Sequence, residues 1–86
     1  MPLRLLKKKK NAEAKNLLEK ALLINPNIFE INHNLAILNF RSGDIDASIP
    51  YFEKAKKLNP KSSEVHFNLA LAFDRKKETN LAIINF

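Results

Sequence analysis

The chain of 86 residues lacks cysteine and tryptophan and has one glycine. Without cysteine it forms neither a disulfide framework nor a thiolate zinc site. A single glycine leaves little material for hairpin turns or for a glycine-rich phosphate loop, which favours long helices over short strands. Because no apolar run reaches about 18 residues, the sequence encodes no membrane span. Its first residues place leucines before lysines, the wrong order for a secretory signal, so we expect a cytoplasmic location.

Positive charge exceeds negative charge, with 15 lysines and arginines against 9 acids and a formal net charge of +6. Part of the excess lies in a run of four lysines at residues 7–10. A lysine run is usually a solvated helix face, but a basic surface also attracts nucleic acid. Aromatic side chains that stack on single-stranded bases are sparse, since the only tyrosine is Tyr51 and tryptophan is absent. Nucleic acid is therefore an alternative partner and not the first expectation.

A pattern of residues recurs along the chain at an offset of 34 positions (60 minus 26). Residues 19–26 begin Glu-Lys-Ala and end Asn-Pro, and residues 53–60 do the same. The Asn-Leu-Ala triplet at residues 34–36 returns at residues 68–70. Agreement at one offset in separate stretches indicates an internal repeat, and a repeat of this length determines the fold class.

Each period is predicted to form two helices. Ile31, Leu35 and Leu38 have the i, i+4, i+7 spacing of an amphipathic helix. Gly43 can take a positive φ and end that helix, and Pro60 ends the next one because the residue before proline leaves the α region. The predicted helices lie near residues 3–9, 11–24, 29–41, 45–58 and 63–76, with a short sixth from about residue 79 to the end.

Some of these boundaries are less strongly encoded. No glycine or proline forces a turn at residues 9–11, so a continuous helix from Leu3 to Ile24 is an alternative to two helices. Lysines stand at the positions equivalent to Gly43 in the flanking periods, Lys9 and Lys77. Pro50 lies inside the second helix of the central period, where it removes one backbone hydrogen bond and should loosen or kink the helix.

These features together resemble the tetratricopeptide repeat, a helix–turn–helix unit of 34 residues. The resemblance is carried by the Asn-Pro end of the period and by aromatic and small residues at helix contacts: Phe52, Phe86, Ala36, Ser48, Ala55, Ala70 and Ala82. It implies an all-α fold in which antiparallel helix–turn–helix repeats with a 34-residue period stack as a right-handed α-solenoid. Asn32 and Asn39 depart from the family pattern, which often has large aromatic residues at these positions.

In this register, residues 1–86 form a single module. Residues 1–28 are a partial first repeat, residues 29–62 a complete repeat, and residues 63–86 a truncated third repeat. Repeat arrays usually protect their ends with polar-faced caps, whereas residues 81–86 are mostly apolar. We therefore expect either a piece of a longer array or self-association through uncapped ends.

No catalytic or metal-binding set of residues is recognisable in the sequence. His33 and His66 lie almost one period apart on different predicted helices, with no third ligand. Asp44 and Asp46 fit the start of a helix, where the helix dipole favours acids. We expect no catalytic residue, no metal and no cofactor, and a protein that is not an enzyme.

The resemblance instead implies a protein–protein interaction scaffold whose concave groove binds an extended or helical peptide. The implied groove residues come from the first helices of two successive repeats: Glu30, His33, Asn34, Ile37, Phe40, Arg41, Glu64, Phe67, Asn68, Leu71, Asp74 and Arg75. Asn34 and Asn68 either form a ladder that hydrogen-bonds a peptide backbone or support packing between repeats. The alternative functions are an RNA-associated helical repeat and a structural element that associates with other copies.

Overall fold

A computed structural model describes the backbone of residues 3–84 and the side chains of residues 10–78. This part consists of four helices and no strands: α1 (Leu3–Ile24), α2 (Phe29–Arg41), α3 (Ile45–Leu58) and α4 (Ser63–Ile84). The predicted all-helical class is confirmed, and α2 and α3 have the predicted boundaries. Within these bounds, none of the helices combines the length and the apolar character needed to cross a bilayer.

The two outer helices run straight through positions where a turn was predicted. α1 is continuous, so the alternative of one long helix is the correct one there. α4 is also continuous, so the prediction of separate helices on either side of residues 77–78 is wrong. The reason lies in one residue type. Gly43 takes a φ of +89°, which ends α2, whereas Lys9 and Lys77 at the equivalent positions would be strained in that conformation and stay helical.

The core lies where α2 packs on α3, the most extensive helix contact of the fold. Small side chains at Ala36, Ser48 and Ala55 are fully buried and allow the two helices to approach closely around Phe52. The Ser48 hydroxyl donates a 2.6 Å hydrogen bond to the carbonyl oxygen of Ile45, so burial leaves it satisfied. α3 packs in turn on α4, and α1 on α2, which arranges the helices in chain order.

α3 remains a single helix through Pro50, which is exposed on its surface. Proline has no N–H to donate to the carbonyl one turn earlier, that of Asp46. The carboxylate of Asp46 lies 3.3 Å from the Lys76 ammonium on α4, an exposed ion pair worth little to stability. The pair shows where α4 passes the beginning of α3, and α4 continues for about two more turns beyond it.

Two asparagines of α2 are buried, and they differ in whether their side-chain amides are hydrogen-bonded. The Asn32 amide donates to the carbonyl oxygens of Pro26 (3.1 Å) and Ile28 (2.8 Å), so it ties the α1–α2 loop to the start of α2. Asn39 is only 1% exposed, and neither its Nδ2 nor its Oδ1 has a hydrogen-bond partner. An unsatisfied buried amide loses its hydration without compensation, so Asn39 destabilises the core.

Gly43→Lys gives the central turn the residue that both flanking positions carry. We expect it to lower the free energy of unfolding by about 1–2 kcal/mol, because a lysine at φ +89° is strained. Open space surrounds the added Cβ, so the loss comes from the backbone alone. Gly43→Asn is the matched control and should lose less, since asparagine tolerates this region. Equal losses for the two variants in urea titrations would contradict this explanation.

Asn39→Leu should raise the free energy of unfolding by about 1–3 kcal/mol, because it removes an unsatisfied amide and keeps the number of heavy atoms. Asn32→Leu is the matched control, and we expect it to destabilise the protein because two loop carbonyls lose their donor. Chemical unfolding of both variants under one set of conditions tests the pair. Changes of the same sign would show that burial alone, and not hydrogen-bond satisfaction, separates the two positions.

Candidate functional site

A groove lies between α2 and α4, with α3 at its base, and encloses a cavity of about 230 Å³. Each helix contributes residues spaced three or four apart, which places them on one helix face. The cavity is lined by Ile37, Phe40, Arg41, Phe52, Glu64, Asn68 and Leu71. The groove is therefore built by residues far apart in sequence, and it exists only because α3 holds α2 and α4 side by side.

The groove combines apolar walls with charged groups. Ile37 and Phe40 are half-buried and Leu71 is exposed, so all three offer apolar surface to a ligand. Arg41 and Glu64 are also exposed and bring opposite charges to the lining. Such a surface suits an amphipathic ligand, which would bury an apolar group and pair its own charges with those of the lining.

A cationic side chain also covers one of the aromatic walls. The Arg75 guanidinium carbon lies 5.8 Å from the centre of the Phe40 ring, within the range of a cation–π contact. Arg75 belongs to α4 and Phe40 to α2, so the contact joins the two helices that form the groove. It places a positive charge beside the apolar lining that Phe40 supplies.

A hydrogen bond beneath the groove fixes one of its walls. The Asn68 Nδ2 lies 3.2 Å from the Nε2 of buried His33, and the amide donates when that ring nitrogen is unprotonated. The His33 ring itself lies between Phe29, at 5.6 Å, and Phe52, at 5.9 Å. These contacts hold His33 in the core and orient the Asn68 amide on α4.

The predicted groove residues fall into three groups in the structure. Six of them line the cavity together: Ile37, Phe40, Arg41, Glu64, Asn68 and Leu71. Arg75 and His33 contact that lining from outside, through Phe40 and Asn68 respectively. The others are exposed and do not line the cavity: Glu30, Asn34, Phe67 and Asp74. The two asparagines of the proposed ladder thus have different surroundings, and the ladder stays a prediction.

Phe52 is the lining residue that the sequence reasoning missed. It was assigned to helix packing because it belongs to the apolar stripe of α3, and it is indeed buried in the core. It also forms the base of the groove. The available signal was its place on the helix between the two groove-forming helices, since any opening between α2 and α4 reaches down to α3.

Both histidines make contacts that hold neighbouring parts of the fold together. His66 Nε2 lies 2.8 Å from the carbonyl oxygen of Pro60, across the loop that precedes α4. His33 holds Asn68 as described above. Among residues 10–78, no group of three histidine, aspartate or glutamate side chains is arranged to hold a metal ion.

Comparison with known proteins agrees with the all-helical fold. A search of curated proteins found no significant match. The family model of the tetratricopeptide repeat matches residues 5–66, from the first turn of α1 into the start of α4. Repeats of this family generally serve as protein–protein interaction modules and are typically non-catalytic. As the match covers well over half of the chain, the protein belongs to the tetratricopeptide repeat family.

Proposed function

We propose that the chain is a non-catalytic interaction module that holds a peptide segment of a partner protein in the groove between α2 and α4. The observation that carries the proposal is the cavity itself, an open surface that combines apolar walls with the exposed charges of Arg41 and Glu64. Its volume of about 230 Å³ lies below the range of roughly 300–1,000 Å³ that drug-sized ligands occupy. A few side chains of a peptide suit this space better than a cofactor does.

The lining defines the chemistry of the peptide. An apolar anchor side chain would pack between Ile37 and Leu71 over Phe52. An acidic residue next to that anchor would meet Arg41, whose exposed guanidinium is free to form a bidentate pair with a carboxylate. The overall charge of +6 also favours the approach of an acidic segment.

The amide of Asn68 adds a group that can contact a peptide backbone. One of its N–H groups is directed to His33, which fixes the plane of the amide. Its carbonyl oxygen would then accept a hydrogen bond from a peptide N–H in a preset orientation. A donor or acceptor held in place in this way binds with a smaller entropy loss than a mobile one.

Peptides selected from a displayed random library should share an apolar anchor beside an acidic residue. Leu71→Asp should lower the affinity for such a peptide by more than about tenfold, as measured by calorimetry, because it places a charge in the apolar lining. Phe73→Asp is the matched control, since Phe73 is exposed on the same helix but does not line the cavity. Equal losses in both variants would contradict the groove. Salt-sensitive binding of single-stranded RNA, with an affinity that Leu71→Asp does not change, would favour the RNA alternative instead.

Asn34→Ala tests the predicted asparagine ladder at its exposed member. We expect the melting temperature to stay unchanged and the affinity for a selected peptide to fall about two- to tenfold, the value of one hydrogen bond. Asn68→Ala should lower both quantities, because it also removes the partner of His33. Unchanged peptide affinity in Asn34→Ala would exclude the ladder and leave Asn68 alone as the backbone contact.

A further inference from the structure

The face of α2 that α3 covers has an exposed counterpart on α4. Four side chains of α2 that are buried each have an exposed equivalent 34 residues later: His66, Phe67, Ala70 and Phe73. On α2 this face is covered in part by α3, where His33 meets Phe52 and Ala36 joins the core. The equivalent on α4, with Phe67 64% and Phe73 48% exposed, is here called the α4 stripe.

α1 has an apolar face equivalent to the face that α3 packs on α2. Ala14, Leu17, Ala21 and Ile24, here called the α1 stripe, are spaced as one side of a helix. Their equivalents on α3 are more buried: Ser48, Tyr51, Ala55 and Leu58. Leu17 is 67% and Ile24 88% exposed, although both are large and apolar. α1 thus resembles α3 in sequence pattern, but among residues 3–84 no helix covers this stripe as α2 covers α3.

We propose that the α1 stripe of one copy packs on the α4 stripe of the next, in the way that α3 packs on α2 within one chain. The two stripes carry the same arrangement of small residues that allows α2 and α3 to approach, with Ala14 and Ala21 for Ser48 and Ala55, and Ala70 for Ala36. The occupant is therefore specified by the chain itself, because the partner that α4 lacks is a helix with the pattern of α3.

The lengths of the helices fit this pairing. α1 and α4 each have 22 residues, and the repeat relation places them antiparallel with Phe67 of one copy near Leu18 of the other. Within one chain His33 contacts Phe52. Phe67 is the equivalent of His33 one period later and Leu18 that of Phe52 one period earlier, which gives this register. Because neither helix turns at Lys9 or Lys77, the two can lie side by side along about 30 Å in this register.

The continuous course of α4 also favours a second copy over the chain's own following residues. To cover the α4 stripe as α3 covers α2, the backbone would have to reverse near Lys77, as it does at Gly43. It continues as helix to Ile84 instead. The self-association predicted through residues 81–86 relied on side chains outside the described residues, whereas this contact uses described ones.

The contact joins two different faces, so it is heterologous and does not close in a dimer. Each pair of copies leaves one α1 stripe and one α4 stripe open, and further copies can add at both ends. The mean mass in solution should therefore rise steadily with protein concentration. An isologous contact, in which one face meets itself, would stop at twice the mass of a single chain.

Two double variants and their mixture test the proposal by sedimentation. Leu17→Glu with Ile24→Glu disables the α1 stripe, and Phe67→Glu with Phe73→Glu disables the α4 stripe. All four positions are exposed within a single chain, so circular dichroism should show folded protein. Each double variant alone should be monomeric. Their equimolar mixture should reach twice the mass of one chain and no more, since one intact stripe of each kind remains.

Leu23→Glu is the matched control, because Leu23 is 86% exposed on α1 and its equivalent on α3 is Lys57, outside the contact face. This variant should assemble as the unchanged protein does. A chain that stays monomeric at every concentration would overturn the proposal. So would a double variant that still dimerises alone, a mixture that stays monomeric, or equal disruption by Leu23→Glu.

Discussion

The close contact between α2 and α3 is the interaction on which the rest of the structure depends. It requires small side chains at Ala36, Ser48 and Ala55, which let the helices approach, and Phe52, which fills the space between them. It also requires Gly43, because only a positive φ reverses the chain within so short a loop. Once α3 is placed, its other side receives α4, and the groove above Phe52 follows from that arrangement.

The groove is therefore a product of helix packing and not a separate device. Its apolar walls Ile37 and Phe40 pack against the core cluster and are only partly buried, so the groove lies at the edge of the core. The hydrogen bond between Asn68 and buried His33 links the groove wall to the core, so a displacement of His33 in the core also displaces the Asn68 amide. The same coupling explains why a polar residue such as His33 belongs in the interior, where Phe29 and Phe52 enclose its ring.

The turn at Gly43 has a second consequence, for the two outer helices. A repeat of this kind covers its own faces only when the chain reverses at each turn position. Of the three equivalent positions Lys9, Gly43 and Lys77, the chain turns only at Gly43, and α1 and α4 extend past the central pair. Each outer helix thereby presents a face with the pattern of an internal contact. On α4 the groove residues Glu64, Asn68 and Leu71 lie on a different side from the α4 stripe, so the proposed peptide binding and the proposed assembly use different surfaces.

The sequence by itself determined the helical class and the boundaries of α2 and α3, because these follow from local signals. Apolar spacing, one glycine and the Asn-Pro ends act within a few residues, whereas Ile37, Phe40, Asn68 and Leu71 were predicted as groove residues through the resemblance to the tetratricopeptide repeat. The course of α1 and α4 also has a local cause, because a lysine at residue 9 or 77 would be strained at the positive φ that Gly43 takes. Tertiary structure alone decided the partner of His33, the unsatisfied amide of Asn39 and the place of Phe52 in the groove, because each depends on which helix lies opposite.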